Sequence, residues 1–476
     1  MNLYAKLKIV LTLLLFTSAL SAQITIGSKE APVQGSLLQL KNVDGNNAIT
    51  STKGLLLPRV ELTDLTQLYP MLEGDSDYEN GITTHDQNLA HIGLVVYNLG
   101  CHMTGEGFYV WTGEQWVPVA PRKIESTDKY KGANSYIVKP QSQISIPIER
   151  AFNIWKDYQK AGATATSSEI DAGKVLDLSA VNNLTGNLTV DIMWEQTDAG
   201  GTSGVLASVP TIIGTDENAS INVETGTEYG NALIRLNIDS KTMWTWHIWV
   251  PSSDPTELDA QIYCYGGLVW MDRNLGATDT IPNSNKAYGL YYQFGRMLPF
   301  QNGTNGQTAI NQNKTGDETT MLTFAIQSPD FITRTNSNYN DWYSTTISKW
   351  TNRWAGLGDE KSPFDPCPEG WRVPYKENNK TPWPEFGNAT PPPNWNNGFY
   401  YTRDHVNLGY WPAAGYIDYS NAQYSQQSEV GSNWSATYVG NNSKYHRLLF
   451  SQPILLNNEV SVLATALSVR CVAEYE

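Results

Sequence analysis

The strongest constraint on the fold is a set of short runs in which apolar and polar residues alternate with a period of two. Ile144, Ile146 and Ile148 share one face of such a run, and the same alternation recurs at 188–195. Clusters of Gly, Asn, Asp and Ser separate the runs. Since successive side chains of a strand point to opposite faces, these runs are typical of strands with one buried face. Residues 124–255 are therefore predicted to form an immunoglobulin-like β-sandwich.

The run Met243–Val250 differs from the others because aromatic residues occupy both of its faces. Trp244 and Trp246 lie on one face, and Trp249 lies on the other. A central strand buried on both sides, or a strand at a domain seam, explains this pattern. His247 shares a face with Trp249 and is predicted to be a hydrogen-bonded structural histidine.

The start of the chain has the pattern of a secretory signal peptide. Lys6 and Lys8 precede an apolar run at 9–16, and a series of small residues ends at Ala22. We therefore expect residues 1–22 to be removed on export. No other run approaches the ~18 apolar residues of a membrane helix, so no transmembrane segment is predicted. The expected location is the cell surface, the outer membrane or the extracellular space.

The amino-acid composition and the absence of certain motifs argue against several classes of function. The 476 residues carry a formal net charge of −15, which argues against nucleic acid as a partner because affinity for phosphates comes from Lys and Arg. Six His and four Cys are spread along the chain without metal-ligand spacing. No nucleophile-elbow, zinc-protease, phosphate-loop or dinucleotide motif is present. We therefore predict no catalytic residue, no metal and no cofactor, and the protein is not expected to be an enzyme.

The first region, residues 23–121, is predicted to be a β-rich module. Its characteristic runs are Lys53–Val60, Gly93–Asn98, Gly107–Trp111 and Gln115–Val119. The last two are spaced as a hairpin with Gly113 in the turn. Together these runs resemble the N-terminal modules of secreted Bacteroidetes surface proteins and of some phage tail fibres. The resemblance implies a stalk or attachment role, with possible self-assembly.

An acidic stretch at 74–81 lies within this region. Asp75, Asp77 and Glu79 alternate there in a loosely calcium-loop-like way. The glycine falls one place late, and no Glu stands at the twelfth position of such a loop. A solvated loop is the favoured interpretation, and calcium binding stays open.

The third region, residues 259–476, carries six motifs in a specific order. They are Leu268–Ala277, Tyr288–Arg296, Asp365–Pro374, Gly409–Tyr416, Asn433–Thr437 and Leu467–Val472. This set resembles the Fibrobacter succinogenes major paralogous domain family of secreted bacterial proteins. The resemblance implies a C-type-lectin-like α+β fold. The whole chain is thus predicted to be a mostly β, multidomain protein.

The resemblance also implies a disulfide between Cys367 and Cys471, and export favours disulfides over metal sites. Cys101 and Cys264 receive no assigned partner. The following motif residues are interpreted as structural, with the tryptophans in the core and the arginines as buried cations. They are Trp270, Asp272, Arg273, Trp371, Arg372, Trp411, Trp434 and Arg470.

The loops of this region supply the candidate ligand-binding residues. Four prolines, at position 384 and at positions 391–393, make the stretch 375–395 a predicted surface loop, and long loops in compact domains tend to be functional. Exposed aromatic rings among Asn, Gly and Pro suit a sugar or a protein partner. The candidates are Trp342, Tyr343, Trp383, Trp395, Tyr400 and Tyr401.

These observations favour an exported cell-surface binding protein, or adhesin. Its C-terminal domain would present aromatic loops to a glycan or a host protein. The motifs of calcium-dependent lectins are absent, so glycan binding is expected to be independent of calcium. One alternative is a structural subunit of a fimbria-like surface appendage. A less favoured alternative is a secreted enzyme of the formylglycine-generating fold, which needs two reactive cysteines.

Overall fold

The structure is a computed structural model, and it is mostly β, as the alternating runs predict. It describes residues 24–27, 29, 38–42, 51, 54–62, 64–99, 107–119, 132–153, 186–256, 263–265, 268–306, 311–316, 318–335, 341–342, 354, 361–376, 381–383, 395–403, 406–439, 444–452 and 454–474. The predicted signal peptide, Cys101, Tyr343 and most of the proline-rich stretch lie outside these residues. The backbone of Cys264 is described, whereas its side chain is not.

The chain divides into two compact units. The first comprises Met1–Arg59 and Val95–Tyr97, and the second comprises Val60–Leu94 and Asn98–Glu476. In the first unit, strands β1 (Ile24–Ile26) and β2 (Leu38–Leu40) pair in parallel.

The other elements of the N-terminal region are short. They are β3 (Arg59–Val60), α1 (Ser76–Glu79), α2 (Thr84–Ala90), β4 (Val95–Asn98), β5 (Gly107–Trp111) and β6 (Trp116–Pro118). Strands β5 and β6 pair antiparallel, with Val110 opposite Val117 and Trp111 opposite Trp116. The predicted hairpin is therefore confirmed, and Gly113 occupies its turn with a φ of 101°.

The middle region forms two sheets around one hydrophobic core. One sheet has the order β7 (Ser135–Ile137), β13 (Lys241–Val250), β12 (Gly230–Ile238) and β9 (Leu188–Thr197). The other has the order β10 (Thr211–Ile213), β11 (Ser220–Glu224) and β8 (Gln143–Pro147). Ile146 and Ile221 from the second sheet share a core with Ile234 and Trp246 from the first. This is the packing that the alternating runs predict.

Strand β13 explains the aromatic run at 243–250. It lies between β7 and β12, so both of its edges are paired. Trp244 and Trp246 point into the core of the middle region, whereas Trp249 packs in a core of the C-terminal region. The strand is therefore both a central strand and a strand at a seam between regions, so both interpretations of the run are correct.

In its described residues, the C-terminal region is built from short strands, a helix and a 3₁₀ turn at Asn285–Ala287. Its elements are β14 (Tyr263–Tyr265), β15 (Leu268–Trp270), β16 (Tyr291–Gln293), β17 (Asn311–Gly316), α3 (Glu318–Gln327), β18 (Phe331–Thr335), β19 (Trp371–Arg372), β20 (Gly398–Arg403), β21 (Val406–Pro412), β22 (Tyr416–Ile417), β23 (Tyr424–Ser425), β24 (Val430–Val439), β25 (Lys444–Ser451), β26 (Ile454–Ser461), β27 (Ala466–Ser468) and β28 (Val472–Ala473).

These strands form two larger sheets and two ribbons. A seven-stranded sheet has the order β23-β22-β27-β24-β25-β26, and β16 adds to β27. A four-stranded sheet has the order β14-β15-β28-β19. Strands β20 and β21 form an antiparallel ribbon, and β17 and β18 form a parallel one. Among the described helices, none is long and apolar enough to cross a membrane.

The predicted disulfide is confirmed. Cys367 and Cys471 are bonded with an S–S distance of 2.07 Å, and both residues are fully buried. The bond joins the turn before β19 to the segment just before β28, and these two strands are neighbours in one sheet. It therefore closes a loop that spans 104 positions of the sequence.

The middle and C-terminal regions meet along a seam that contains polar as well as apolar contacts. The Nδ2 of Asn134 donates to the carbonyl oxygens of Pro363 and Asp365 at 2.9 and 2.8 Å. The hydroxyl of Ser135 donates to the carbonyl of Pro366 at 2.6 Å. Met321 of α3 also enters the core of the middle region. Residues on both sides of position 257 thus belong to common cores.

Candidate assembly surface and the predicted ligand residues

The inner face of the β5–β6 hairpin is covered by the segment 64–94. Trp111 and Trp116 point to this face, are buried, and pack edge to face with their ring centroids 5.5 Å apart. The Nε1 of Trp111 donates to the carbonyl of Asn88 at 2.9 Å, and the Nε1 of Trp116 donates to that of Gln67 at 2.9 Å. Both indoles therefore have a hydrogen-bond partner in the covering segment.

The acidic stretch 74–81 is part of this covering layer. The carboxylate of Asp75 caps α1 by accepting the N–H groups of Asp77 and Tyr78 at 3.0 and 3.1 Å. The buried Tyr78 donates its hydroxyl to the Oδ1 of Asn88 at 2.8 Å. Within the described part of the chain, no group of His, Cys, Asp and Glu side chains is arranged to hold a metal ion. Asp75 thus has a structural role at a helix start.

Large apolar side chains remain exposed in the N-terminal region. Of the 17 exposed large hydrophobic residues in the described ranges, 11 lie between positions 26 and 119. Five belong to the first unit, and six belong to the second. They are Ile26, Leu38, Leu40, Leu55, Leu56, Ile82, Leu89, Ile92, Leu99, Phe108 and Val119. Single exposed apolar residues are normal, but a concentration of them is typical of an interaction surface.

Sequence reasoning did not identify these residues as functional, although a signal for them is present. In the run 107–119, Tyr109, Trp111 and Trp116 form the inner face, and the outer-face positions are also apolar. A hairpin with one solvated face normally has polar residues on that face. The lack of polar residues on either face therefore indicates a second contact surface.

Three of the predicted ligand-binding residues are buried, so their assignment to exposed loops was wrong. Trp342 lies in the core of the middle region, and its Nε1 donates to the carbonyl of Phe294 at 2.7 Å. Trp383 and Tyr401 lie together in a C-terminal core with Trp270. Their rings fill space between the sheet and the β20–β21 ribbon, and a ligand has no access to them without opening that core.

Two other candidates are more accessible. Trp395 is partly buried, with its ring 6.4 Å from that of Phe450. Tyr400 is 50% exposed, and its ring centroid lies 5.5 Å from that of Tyr410 on the neighbouring strand. The hydroxyl of Tyr410 accepts the N–H of Asn283 at 3.2 Å, which fixes this ring behind Tyr400. Of the six candidates, Tyr400 is therefore the ring that the structure offers to a partner, while Tyr343 lies outside the described residues.

The motif residues are structural in the way that the sequence predicts. Trp270, Trp371, Trp411 and Trp434 are all buried. Trp371 and Trp434 lie in the core that contains the disulfide. Trp270 and Trp411 lie in a second core. These four tryptophans therefore have a packing role, as predicted for core tryptophans.

Arg273 and Arg470 are buried and are each held by several hydrogen bonds. Arg273 pairs with Asp272 through two N–H···O contacts at 2.7 and 2.9 Å. The guanidinium of Arg470 donates to the carbonyl of Tyr410 at 2.7 Å and lies 3.9 Å from the ring centroid of Trp411. Arg372 is also buried, with its guanidinium over Tyr375 at 5.6 Å. Such contacts offset the cost of burying a charge.

His247 is a buried structural histidine, as predicted. The Nδ2 of Asn231 donates to the carbonyl of Gly276 at 2.9 Å, so its Oδ1 faces His247 at 2.8 Å from Nε2. The Nε2 of His247 is therefore the donor, and its Nδ1 lies 3.0 Å from the hydroxyl of Ser135. Burial lowers the pKa of His247 to about 3, so the ring is neutral near pH 7.

Comparison with known proteins bears on the N-terminal region alone. No curated protein and no solved structure matches the chain. Residues 25–132, a minority of the chain, match the family described as a phage tail like trimerisation region. This match agrees with the resemblance of the first region to tail-fibre modules, and it covers the same residues that leave apolar side chains exposed. The N-terminal region is thus similar to a phage tail like trimerisation region.

Proposed function

We propose that the protein is an exported structural subunit of a tail-fibre-like or cell-surface assembly, and that it forms trimers through residues 25–132. The observation that carries this proposal is the concentration of exposed apolar side chains in that segment. When a second copy covers such a side chain, the removal of apolar surface from water stabilises the assembly by about 25 cal/mol for every Å² buried. The family match supplies the expected number of copies.

The test is the oligomeric state of the full mature chain, measured by light scattering after size-exclusion chromatography over a range of concentrations. The expected mass is three times that of one chain. Leu56 is 78% exposed, so Leu56→Glu is expected to leave the fold intact and shift the equilibrium toward monomer. Ile281→Glu is the matched control, because Ile281 is exposed but lies outside the trimerisation segment. A monomeric wild-type chain at all concentrations would contradict the proposal.

A second function is favoured by the exposed ring of Tyr400. We propose that the C-terminal region acts as the binding end of an adhesin, with Tyr400 as an aromatic contact for a glycan or a protein partner. The hydroxyl of Tyr410 accepts the backbone N–H of Asn283 and donates to the carbonyl of Asn397, and the two Asn side chains hydrogen-bond to each other. Amide groups near an aromatic ring suit either kind of ligand.

This binding function is tested on glycan and host-protein arrays with the full mature chain. Tyr400→Ala is expected to remove the strongest array signals, whereas Tyr229→Ala, another exposed tyrosine outside this patch, is expected to keep them. Chelation of calcium is expected to leave the signals unchanged. Equal loss in both variants, or no signal from the wild-type chain, would argue against this function and leave the assembly proposal intact.

A further inference from the structure

The outer face of the β5–β6 hairpin is apolar along its whole length. Because Val110 pairs with Val117 across the two strands, these two side chains lie on the same face. Phe108 and Val119 continue this face, and the N–H of Val119 donates to the carbonyl of Phe108 at 2.8 Å. Val119 is 55% exposed. This surface, which we name the hairpin patch, is Phe108, Val110, Val117 and Val119.

The segment that covers the inner face of the same hairpin carries a second set of exposed apolar residues. The segment 64–94 covers the inner face through its hydrogen bonds to Trp111 and Trp116. Ile82, Leu89 and Ile92 belong to this covering layer, and all three are more than half exposed. We name these three residues the helix patch. The hairpin patch and the helix patch are therefore two different apolar surfaces of one small module, the first on the β5–β6 hairpin and the second on the segment that covers its inner face.

This arrangement bears on the symmetry of the assembly. In a closed ring of three copies, the contact is heterologous, so each copy uses one surface toward one neighbour and a different surface toward the other. A single apolar patch satisfies a two-fold dimer, whereas a closed ring needs two different surfaces on each copy. We infer that the hairpin patch of one copy packs against the helix patch of the next. The inference rests on the proposed trimer and names its contact surfaces.

The test is a charge-pair experiment on the full mature chain. Val119→Lys and Leu89→Glu are each expected to raise the dissociation constant of the trimer by about tenfold or more, because each leaves a buried charge unpaired. The double variant carries both changes on every copy. In a heterologous ring its Lys meets the Glu of the neighbour, so the dissociation constant is expected to return toward that of the wild type. Val209→Lys, at an exposed site outside the module, is the control.

The outcomes separate this inference from the proposed trimer. A wild-type chain that is monomeric overturns the proposed function itself. If the wild-type trimer tolerates both single changes, the pairing of the two patches is overturned. It is also overturned if the trimer of the double variant dissociates as readily as that of the more weakly associated single variant. If circular dichroism shows that either single variant is unfolded, a photoreactive benzoylphenylalanine at position 119 replaces it. Cross-links to residues 82–92 of another copy support the inference, and cross-links to any other segment contradict it.

Discussion

Trp246 and Trp249 lie three positions apart in one strand, yet they pack in different hydrophobic cores. Trp246 belongs to the core of the middle region. Trp249 packs in the core that contains the Cys367–Cys471 disulfide, and its Nε1 donates to the carbonyl of Ala277 at 3.0 Å. Strand β13 therefore contributes side chains to the hydrophobic cores of both regions.

The first prediction is that the middle and C-terminal regions unfold together. Trp249→Ala empties a site in the C-terminal core from a strand of the middle sheet, and such a truncation costs about 3–5 kcal/mol. We expect one cooperative transition, at a lower temperature than in the wild type, whether it is followed by far-ultraviolet or by near-ultraviolet circular dichroism. Two separate unfolding transitions, with only one of them shifted to a lower temperature by the substitution, would contradict the shared strand.

The second prediction concerns the disulfide. In the chain-entropy model, a closed loop of 104 residues is worth roughly 4–5 kcal/mol of stability. Cys471→Ala is expected to lower the melting temperature. Wild-type protein that is unfolded, reduced and refolded in reductant is expected to melt at a lower temperature as well. The control is the double variant Cys367→Ala/Cys471→Ala, in which a reductant should have no further effect on this loop. An unchanged melting temperature in Cys471→Ala would show that the loop is held by packing alone.

The third prediction separates a packing tryptophan from an exposed tyrosine. Trp383 is 1% exposed, so Trp383→Ala is expected to destabilise the protein by about 3–5 kcal/mol. Tyr400→Ala at the exposed position should change stability by no more than about 0.5 kcal/mol. Chemical denaturation of the two variants side by side gives both values. A stable Trp383→Ala protein with altered ligand binding would restore the original assignment of that ring to a binding site.

The fourth prediction is a pH dependence caused by His247. Its pKa is about 3 in the folded protein, against about 6.5 in an unfolded chain, so the unfolded state binds more protons between these values. Stability is therefore complete above pH 6.5 and falls as the pH falls toward 3. Between pH 7 and pH 5 the loss from this residue is about 2 kcal/mol.

The variant His247→Asn provides the measurement, because it removes this titration while other groups remain. Its free energy of unfolding is expected to fall less steeply than that of the wild type from pH 7 to pH 5. The carboxyl groups that also titrate in this range contribute equally to both proteins and cancel in the difference. Parallel slopes would mean that His247 is protonated in the folded state.

Several features were predictable because they depend on local pattern. Period-two alternation indicates strands whatever their neighbours are, and it located the sandwich strands. The hairpin at 107–119 was located by the spacing of two short β-runs around Gly113. The aromatic residues on both faces of β13 required burial on both sides. The pairing of Cys367 with Cys471 followed from the family resemblance, and the structure confirms it.

Other features depended on which surfaces meet, and only the tertiary structure decided them. Trp383 and Tyr400 occur in similar aromatic, proline- and asparagine-rich surroundings, yet one is buried and the other is half exposed. The alternation of β20 sends Tyr400 outward and its neighbour Tyr401 inward, but sequence alone does not state which face the sheet covers. The same holds for the hairpin: its two apolar faces are visible in the sequence, and the covering segment 64–94 decides which one stays open. Burial is a property of contacts between distant segments, so local pattern determines the strands and tertiary packing determines which of their faces remain for a partner.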